Sequence, residues 1–140
     1  MKRATVALVV LALLLGVVAG QARADGYALA AIRNATGVTI TYYYWWGSDS
    51  WDNVDMNSVG TATLRPGAWH YYAWPYGPGE EGTAPPLNVA FLSYTPGRYD
   101  GYYKWYTLPK WESAVAAYEY YQKYHFGWAP SGRLDVFEGR

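Results

Sequence analysis

The sequence predicts an all-β fold: an antiparallel β-sandwich or small barrel of about seven or eight short strands. Three observations carry that expectation. After residue 24 the chain is a succession of short runs rich in tyrosine, tryptophan and β-branched residues, which suit a pleated, half-buried surface. Gly, Pro, Asn and Asp punctuate those runs and supply turns. Runs this short, joined by connections this poor in helix, exclude a parallel α/β sheet.

The elements follow in order. "YALAAIRN" is the first strand, and "NATG" (Asn34–Gly37) is the turn after it, with Gly37 available for the positive φ of a tight hairpin. The second strand is "VTITYYYWW", Val38–Trp46. A polar loop leads to "TATLRPG", in which Pro66-Gly67 signals a turn. "AWHYYAWPY" is the next strand, closed by Pro75 and the low-complexity loop "GPGEEGTAPP". "LNVAFLSY", the turn "TPGRYDG" and "YYKWYTL" come next, and Pro109 ends the last of them. In "KWESAVAAYEYYQKY" Trp111, Val115 and Tyr118 recur at helical spacing and "SAVAA" favours helix, so one short helix is expected near 110–119. A strand over Tyr120–Phe126, the turn "WAPSG" and a final strand "RLDVF" complete the pattern.

The first 24 residues belong to a different logic. A basic start (Lys2, Arg3), an apolar run from Ala4 to Ala19, and Ala22 and Ala24 in an A-x-A site are the anatomy of a cleaved secretory signal, with the new N-terminus at Asp25. The protein is therefore expected to be secreted or periplasmic, with residues 25–140 forming one β-sandwich domain and no transmembrane segment once the signal is removed. Lys2, Arg3 and Arg23 leave with the signal, so eight basic groups remain against eleven acidic ones, a formal charge of −3. Such a chain lacks the positive field that nucleic acid or an anionic bilayer requires. Cysteine is absent. The fold must hold by packing alone, and thiol nucleophiles and thiolate metal sites are excluded.

Strand alternation then sorts the aromatic residues. Val38, Ile40, Tyr42, Tyr44 and Trp46 share one face and form the natural core set; Thr39, Thr41, Tyr43 and Trp45 share the other. The same division places Trp69 and Tyr71 opposite His70, Tyr72 and Trp74, and Tyr103 and Trp105 opposite Tyr102, Lys104 and Tyr106. Several strands are thus aromatic on both faces. The surplus has two explanations: cross-strand ring pairs that stabilise an outer face, or an exposed platform on which a glycan, a lipid or another extracytoplasmic protein lies. The candidate platform residues are Tyr43, Trp45, Trp69 and Trp105.

Signals for catalysis are weak, and the expectation is a binding or structural module rather than an enzyme. His70 and His125 are the two histidines on which a hydrolase would have to be built, and no H-E-x-x-H, G-x-S-x-G or phosphate-loop pattern accompanies them. Glu80 and Glu81 sit in a Gly/Pro loop, where solubility is the simpler role. No cofactor is expected. The loop "GSDSWDNVDMNS" offers Asp49, Asp52 and Asp55 as oxygen ligands for calcium, but at a spacing unlike an EF-hand. Asn34-Ala35-Thr36 fits a glycosylation acceptor and also a turn, and the turn is preferred.

The order "IRNATGVTITYYYWWG … LRPGAWHYYAW … PLNVAFLSY … YYKWYTLP … YHFGWAPSGRLDVF" resembles a type of small, uncharacterised bacterial secreted β-sandwich protein. In these an N-x-T turn precedes a tyrosine-rich strand ending in W-G, and an L-x-P-G turn precedes an aromatic strand. The resemblance implies the all-β fold and transfers no site residues. A fainter likeness, to lipid-binding β-sandwiches of the aegerolysin type, rests on "WG", "PG" and the abundance of Trp and Tyr.

Overall fold

The computed structural model describes residues 26–139, and the secretory signal expected over residues 1–24 lies outside them. Among the described residues the strands are β1 (Gly26–Asn34), β2 (Ile40–Trp46), β3 (Gly60–Leu64), β4 (Trp69–Tyr76), β5 (Leu87–Ser93), β6 (Tyr102–Leu108), β7 (Trp111–Ser113), β8 (Gln122–Trp128) and β9 (Leu134–Glu138). They form two sheets, one ordered β4-β1-β8-β9 with β7 also paired to β1, the other ordered β3-β2-β5-β6. The architecture is an all-β sandwich. Every pairing is antiparallel except that of β1 with β8.

Two local expectations are overturned. The helix expected near 110–119 is absent: Trp111–Ser113 is strand β7, and only Tyr118–Tyr120 makes a single 3-10 turn. The edge of β1 supplies the reason. Residues 27–29 of β1 take β7 as an antiparallel partner and residues 30–34 take β8 as a parallel one, so the chain between must double back along that edge. Backbone pairing to a buried strand outweighs a helix propensity of a few tenths of a kcal/mol per residue, the order of magnitude for ordinary residues.

The hairpin expected at Asn34–Gly37 does not form either. β1 and β2 lie in different sheets, so the turn is a corner between layers, and Gly37 does not take a positive φ. The Asn34 side chain makes the corner instead. Its Oδ1 accepts from Thr36 N at 2.9 Å and Thr36 Oγ1 at 2.6 Å, while Nδ2 donates to Val38 O at 2.6 Å and to Leu64 O at 2.9 Å. Leu64 ends β3, where the chain crosses back between the sheets through Pro66 and Gly67, the glycine at φ +80°. Asn34 N donates to Ala68 O at 3.0 Å and Asn34 O accepts from Gly67 N at 2.7 Å, so one residue ties both crossings. Asn34 is fully buried, which seals the N-x-T acceptor inside the folded chain.

The core follows the expected alternation within β2, but Val38, expected on the core face, precedes the strand in the corner and is exposed. Ile40, Tyr42 and Tyr44 of β2 point inward against Ala30 and Ile32 of β1, Phe91 of β5 and Phe126 of β8. The Tyr42 hydroxyl is satisfied within the core, at 3.0 Å from His70 Nδ1 and 2.5 Å from the Tyr72 hydroxyl. Room for these large rings comes from glycines opposite them. Gly60 pairs with Tyr44 and Gly26 with Tyr76, and a Cβ at either glycine would overlap the facing ring. A glycine that weakens a strand is retained here because a neighbouring ring lies across its bare backbone.

At the side of the sandwich away from β3 and β4, an ionic clasp joins edge strands β6 and β9. Asp135 accepts from Tyr106 Oη at 2.7 Å and Lys104 Nζ at 3.0 Å, and its own Oδ1 also accepts from Val136 N at 2.9 Å. Burial works to raise the Asp135 carboxyl, but the hydrogen bonds from Tyr106, Val136 and Lys104, with the lysine's charge, prevail and hold it below the usual carboxylate value.

Two outcomes test this frame. Asn34→Ala should lower unfolding stability by about 2–4 kcal/mol, because it strands buried backbone and hydroxyl partners. A loss under about 1 kcal/mol in urea denaturation, the size of one ordinary hydrogen bond, would show that the corner is held by something else. Because the folded carboxyl titrates lower than the unfolded one, the contribution of Asp135 is complete above about pH 4 and disappears as pH falls through the depressed folded value. Asp135→Asn should therefore lie below the wild type in urea midpoint at pH 7, with the gap closing under strongly acidic conditions; a gap of the same size at both pH values contradicts the clasp.

Candidate ligand-binding face

The two outer faces dispose of their aromatic residues differently. On the β4-β1-β8-β9 sheet, Trp69 stacks on Tyr71 with ring centres 5.9 Å apart and planes at 19°. Tyr118 and Tyr121, from the segment joining β7 to β8, meet Tyr71 edge-on at 6.3 and 5.2 Å. Lys123 straps this segment down: its Nζ donates to Tyr118 O at 2.8 Å and Tyr121 O at 3.2 Å and lies 4.3 Å from the Tyr118 ring centre. The outward positions Leu29 and Ala31 of β1 are buried. Trp69 thus belongs to a packing cluster that the chain covers with its own segment.

On the β3-β2-β5-β6 sheet the ladder places Thr41, Tyr43 and Trp45 of β2 beside Thr63 and Thr61 of β3 and beside Ala90 and Asn88 of β5. β6 continues the same face with Tyr103, Trp105 and Thr107, paired with Leu92, Ala90 and Asn88. Trp45, expected to be an exposed platform ring, is only 1% exposed. The cause is the loop between β2 and β3. It folds back so that Trp51 sits 5.8 Å from Trp45, 5.4 Å from Tyr43 and 5.6 Å from Tyr103, stacked on the last at 30°. Trp45 closes its own account by donating Nε1–H to Asp49 O at 2.9 Å. The ring on the surface is Trp51, which the face assignment of strands overlooked because it lies in a loop. A bulky aromatic inside the polar stretch "GSDSWDN" is the signal that could have found it.

The exposed part of the cluster is Tyr103 at 49% and Trp105 at 39%, with Tyr43 and Trp51 half-buried between them. Beside it lies a groove. Pairing of β2 with β5 ends at Tyr42 and Phe91; beyond that point a groove of about 370 Å³ runs along Thr39, Thr41, Tyr43, Leu92, Tyr94 and Tyr103. Of its threonines, Thr41 places Oγ1 3.2 Å from Thr63 Oγ1 on the neighbouring strand; away from the groove, at the other end of the face, Thr107 Oγ1 donates to Asn88 Oδ1 at 2.6 Å. Burial, together with the charge and hydrogen bond of neighbouring Tyr43, raises the Tyr103 hydroxyl above its ordinary pKa near 10. It therefore stays protonated across the physiological range, engaged with Tyr43.

The remaining candidates are not assembled into sites. Asp49, Asp52 and Asp55 do not converge as calcium ligands: among the described residues no three His, Asp or Glu side chains are grouped as a metal requires. Asp55 has local work, accepting from Asn57 N at 3.0 Å as the cap of a 3-10 turn. His70 points between the sheets and shares a hydrogen bond with Tyr42, whereas His125 faces outward, its Nδ1 2.8 Å from Gly139 O and its ring stacked on Phe137. The two pair with adjacent residues Ile32 and Arg33 of β1, hence lie on opposite faces of the same sheet. Glu80 Oε1 accepts from Gly77 N at 2.6 Å and staples its own loop.

The fold is a β-sandwich with an aromatic cluster on each outer face, and only the cluster of Tyr43, Trp51 and Tyr103 borders the groove described above. Set against protein-family models, curated proteins and solved structures, the chain finds no match in any of the three comparisons.

Removing the loop ring tests the assignment. Trp51→Ala should leave the sandwich folded, with a stability loss of about 1–2 kcal/mol for aromatic contacts at a half-exposed position. It should uncover Trp45, whose indole proton then exchanges with solvent faster by NMR; unchanged protection of that proton would mean Trp51 is not what covers it.

Proposed function

We propose that this chain is a non-catalytic extracytoplasmic binding module that holds a glycan against the outer face of the β3-β2-β5-β6 sheet. The observation that carries the reading is the stacked pair Trp51–Tyr103 beside the threonine-lined groove. Sugar rings present an apolar face and a rim of hydroxyls. Exposed aromatic rings match the first, and rows of hydroxyl groups match the second. The sandwich behind supplies rigidity, since Tyr43 and Trp105 project from paired strands rather than from loops.

The other outer face argues against spreading the site over both sheets. Its rings are occupied with one another and with the strap at Lys123, so Trp69 is left out of the proposed surface. The contacts of His70 with Tyr42 and of His125 with the Gly139 carbonyl support structural roles for both histidines.

A panel of soluble polysaccharides in affinity electrophoresis, with tryptophan fluorescence read in parallel, tests the function. Retardation by at least one glycan and a shift in emission are expected, both reduced about tenfold or more by Tyr103→Ala, as loss of a stacking residue worth 1–3 kcal/mol would give. Absence of any response across the panel, with binding instead to lipid vesicles or to a co-purifying protein, would replace the glycan with those partners.

A further inference from the structure

The face just described has a property that the glycan reading does not require. Every residue that the ladder of β2, β3, β5 and β6 places on it is uncharged, although the chain from residue 25 onward carries eight basic and eleven acidic groups. The groove beside it is likewise lined by threonine, tyrosine and aliphatic side chains alone. We infer that the ligand, on the reading that it is a glycan, is an electrically neutral one, recognised through aromatic contact and hydroxyl exchange rather than through ion pairing.

Two lines of chemistry support neutrality. The polar groups the face offers are mostly hydroxyls, with the indole N–H of Trp105 beside them and the Asn88 amide buried and already bonded, and a hydroxyl both donates and accepts. Neutral sugar hydroxyls have the same dual character. A carboxylate or sulfate only accepts, and an ammonium only donates, so each would leave half of the face's capacity unused. The electrostatic surroundings point the same way. An acidic polymer needs Arg or Lys at the contact, and the face has none.

The charges that border the face do not alter this. The loop that delivers Trp51 brings Asp49, Asp52 and Asp55, all exposed, which would repel a polyanion. Asp100, in the turn between β5 and β6, is paired with Arg133 at 3.0 Å. Arg98 of that turn and exposed Arg65, one residue past the end of β3, are the cations an acidic ligand would have to recruit. Neutral recognition predicts that neither takes part.

Matched polymers separate the possibilities. Hydroxyethylcellulose and carboxymethylcellulose share one backbone and differ in charge; chitin hexaose and chitosan hexaose form a second pair with a cationic member. The purified protein should bind at least one neutral member, and any charged counterpart about tenfold or more weakly. The neutral interaction should be constant between about 0.05 and 0.5 M NaCl, a range over which ion pairing at a surface is screened. Tyr103→Phe, which removes a hydroxyl and leaves the ring, should weaken binding severalfold, while Arg98→Ala should leave it unchanged. Preference for carboxymethylcellulose, preference for chitosan, a steep loss with salt, or a loss in Arg98→Ala would each overturn neutrality while leaving a glycan-binding module in place. Failure to bind any of the four polymers or any member of the wider panel would overturn the glycan reading itself.

Discussion

The fold turns on one buried amide. A β-sandwich whose chain crosses from one sheet to the other must bend the backbone through corners, and a corner exposes peptide groups that no ladder satisfies. Asn34 resolves this at two corners together, since its side chain caps the β1–β2 crossing while also holding the end of β3, and its backbone pairs with the β3–β4 turn. Ala35 N adds a bond to Phe126 O, bringing β8 to the same point. No hydrophobic residue could take that place, because the site has donors and acceptors to be answered in fixed directions. In a chain without disulfides this polar knot does what a cross-link does elsewhere: it sets how the layers meet. The Asp135 clasp does the corresponding work at the other side.

With the layers set, the aromatic surplus divides into three populations. Rings facing inward fill a core wide enough for tyrosine because glycines lie opposite two of them. Rings on the outer face of the β4-β1-β8-β9 sheet pack on one another and on the segment held through Lys123, whose ammonium is stabilised by two carbonyls and the Tyr118 ring, although Tyr71 and Tyr118 stay partly exposed. The rings around Trp51 and Tyr103 lie beside a groove. The groove has a topological origin, since it begins where the β2–β5 ladder ends and no strand fills the gap. The proposed surface and the packing clusters therefore draw on the same residue types, and the distinction between them lies in what surrounds each ring.

Much of this protein was legible in its sequence, and for a definite reason. Period-two alternation is a local property of an extended chain, so the inward set Ile40, Tyr42 and Tyr44 could be read directly, as could the strand-and-turn rhythm that makes the fold all-β. Proline and glycine at Pro66-Gly67 marked a real turn, with the glycine in the left-handed region. The absence of cysteine and the scarcity of charge in the strands were equally plain. What only the tertiary structure decided were matters of pairing and cover. Whether "NATG" closes a hairpin or crosses between sheets depends on which strands are neighbours, and "SAVAA" lost its helical preference to the edge of β1. Trp45 was placed on the correct face yet buried by Trp51, a residue distant from it in the pleat and adjacent in space. The sequence determined which side of a strand each ring leaves from; only the folded chain decided what then lies on top of it, because cover comes from loops whose paths no local periodicity encodes.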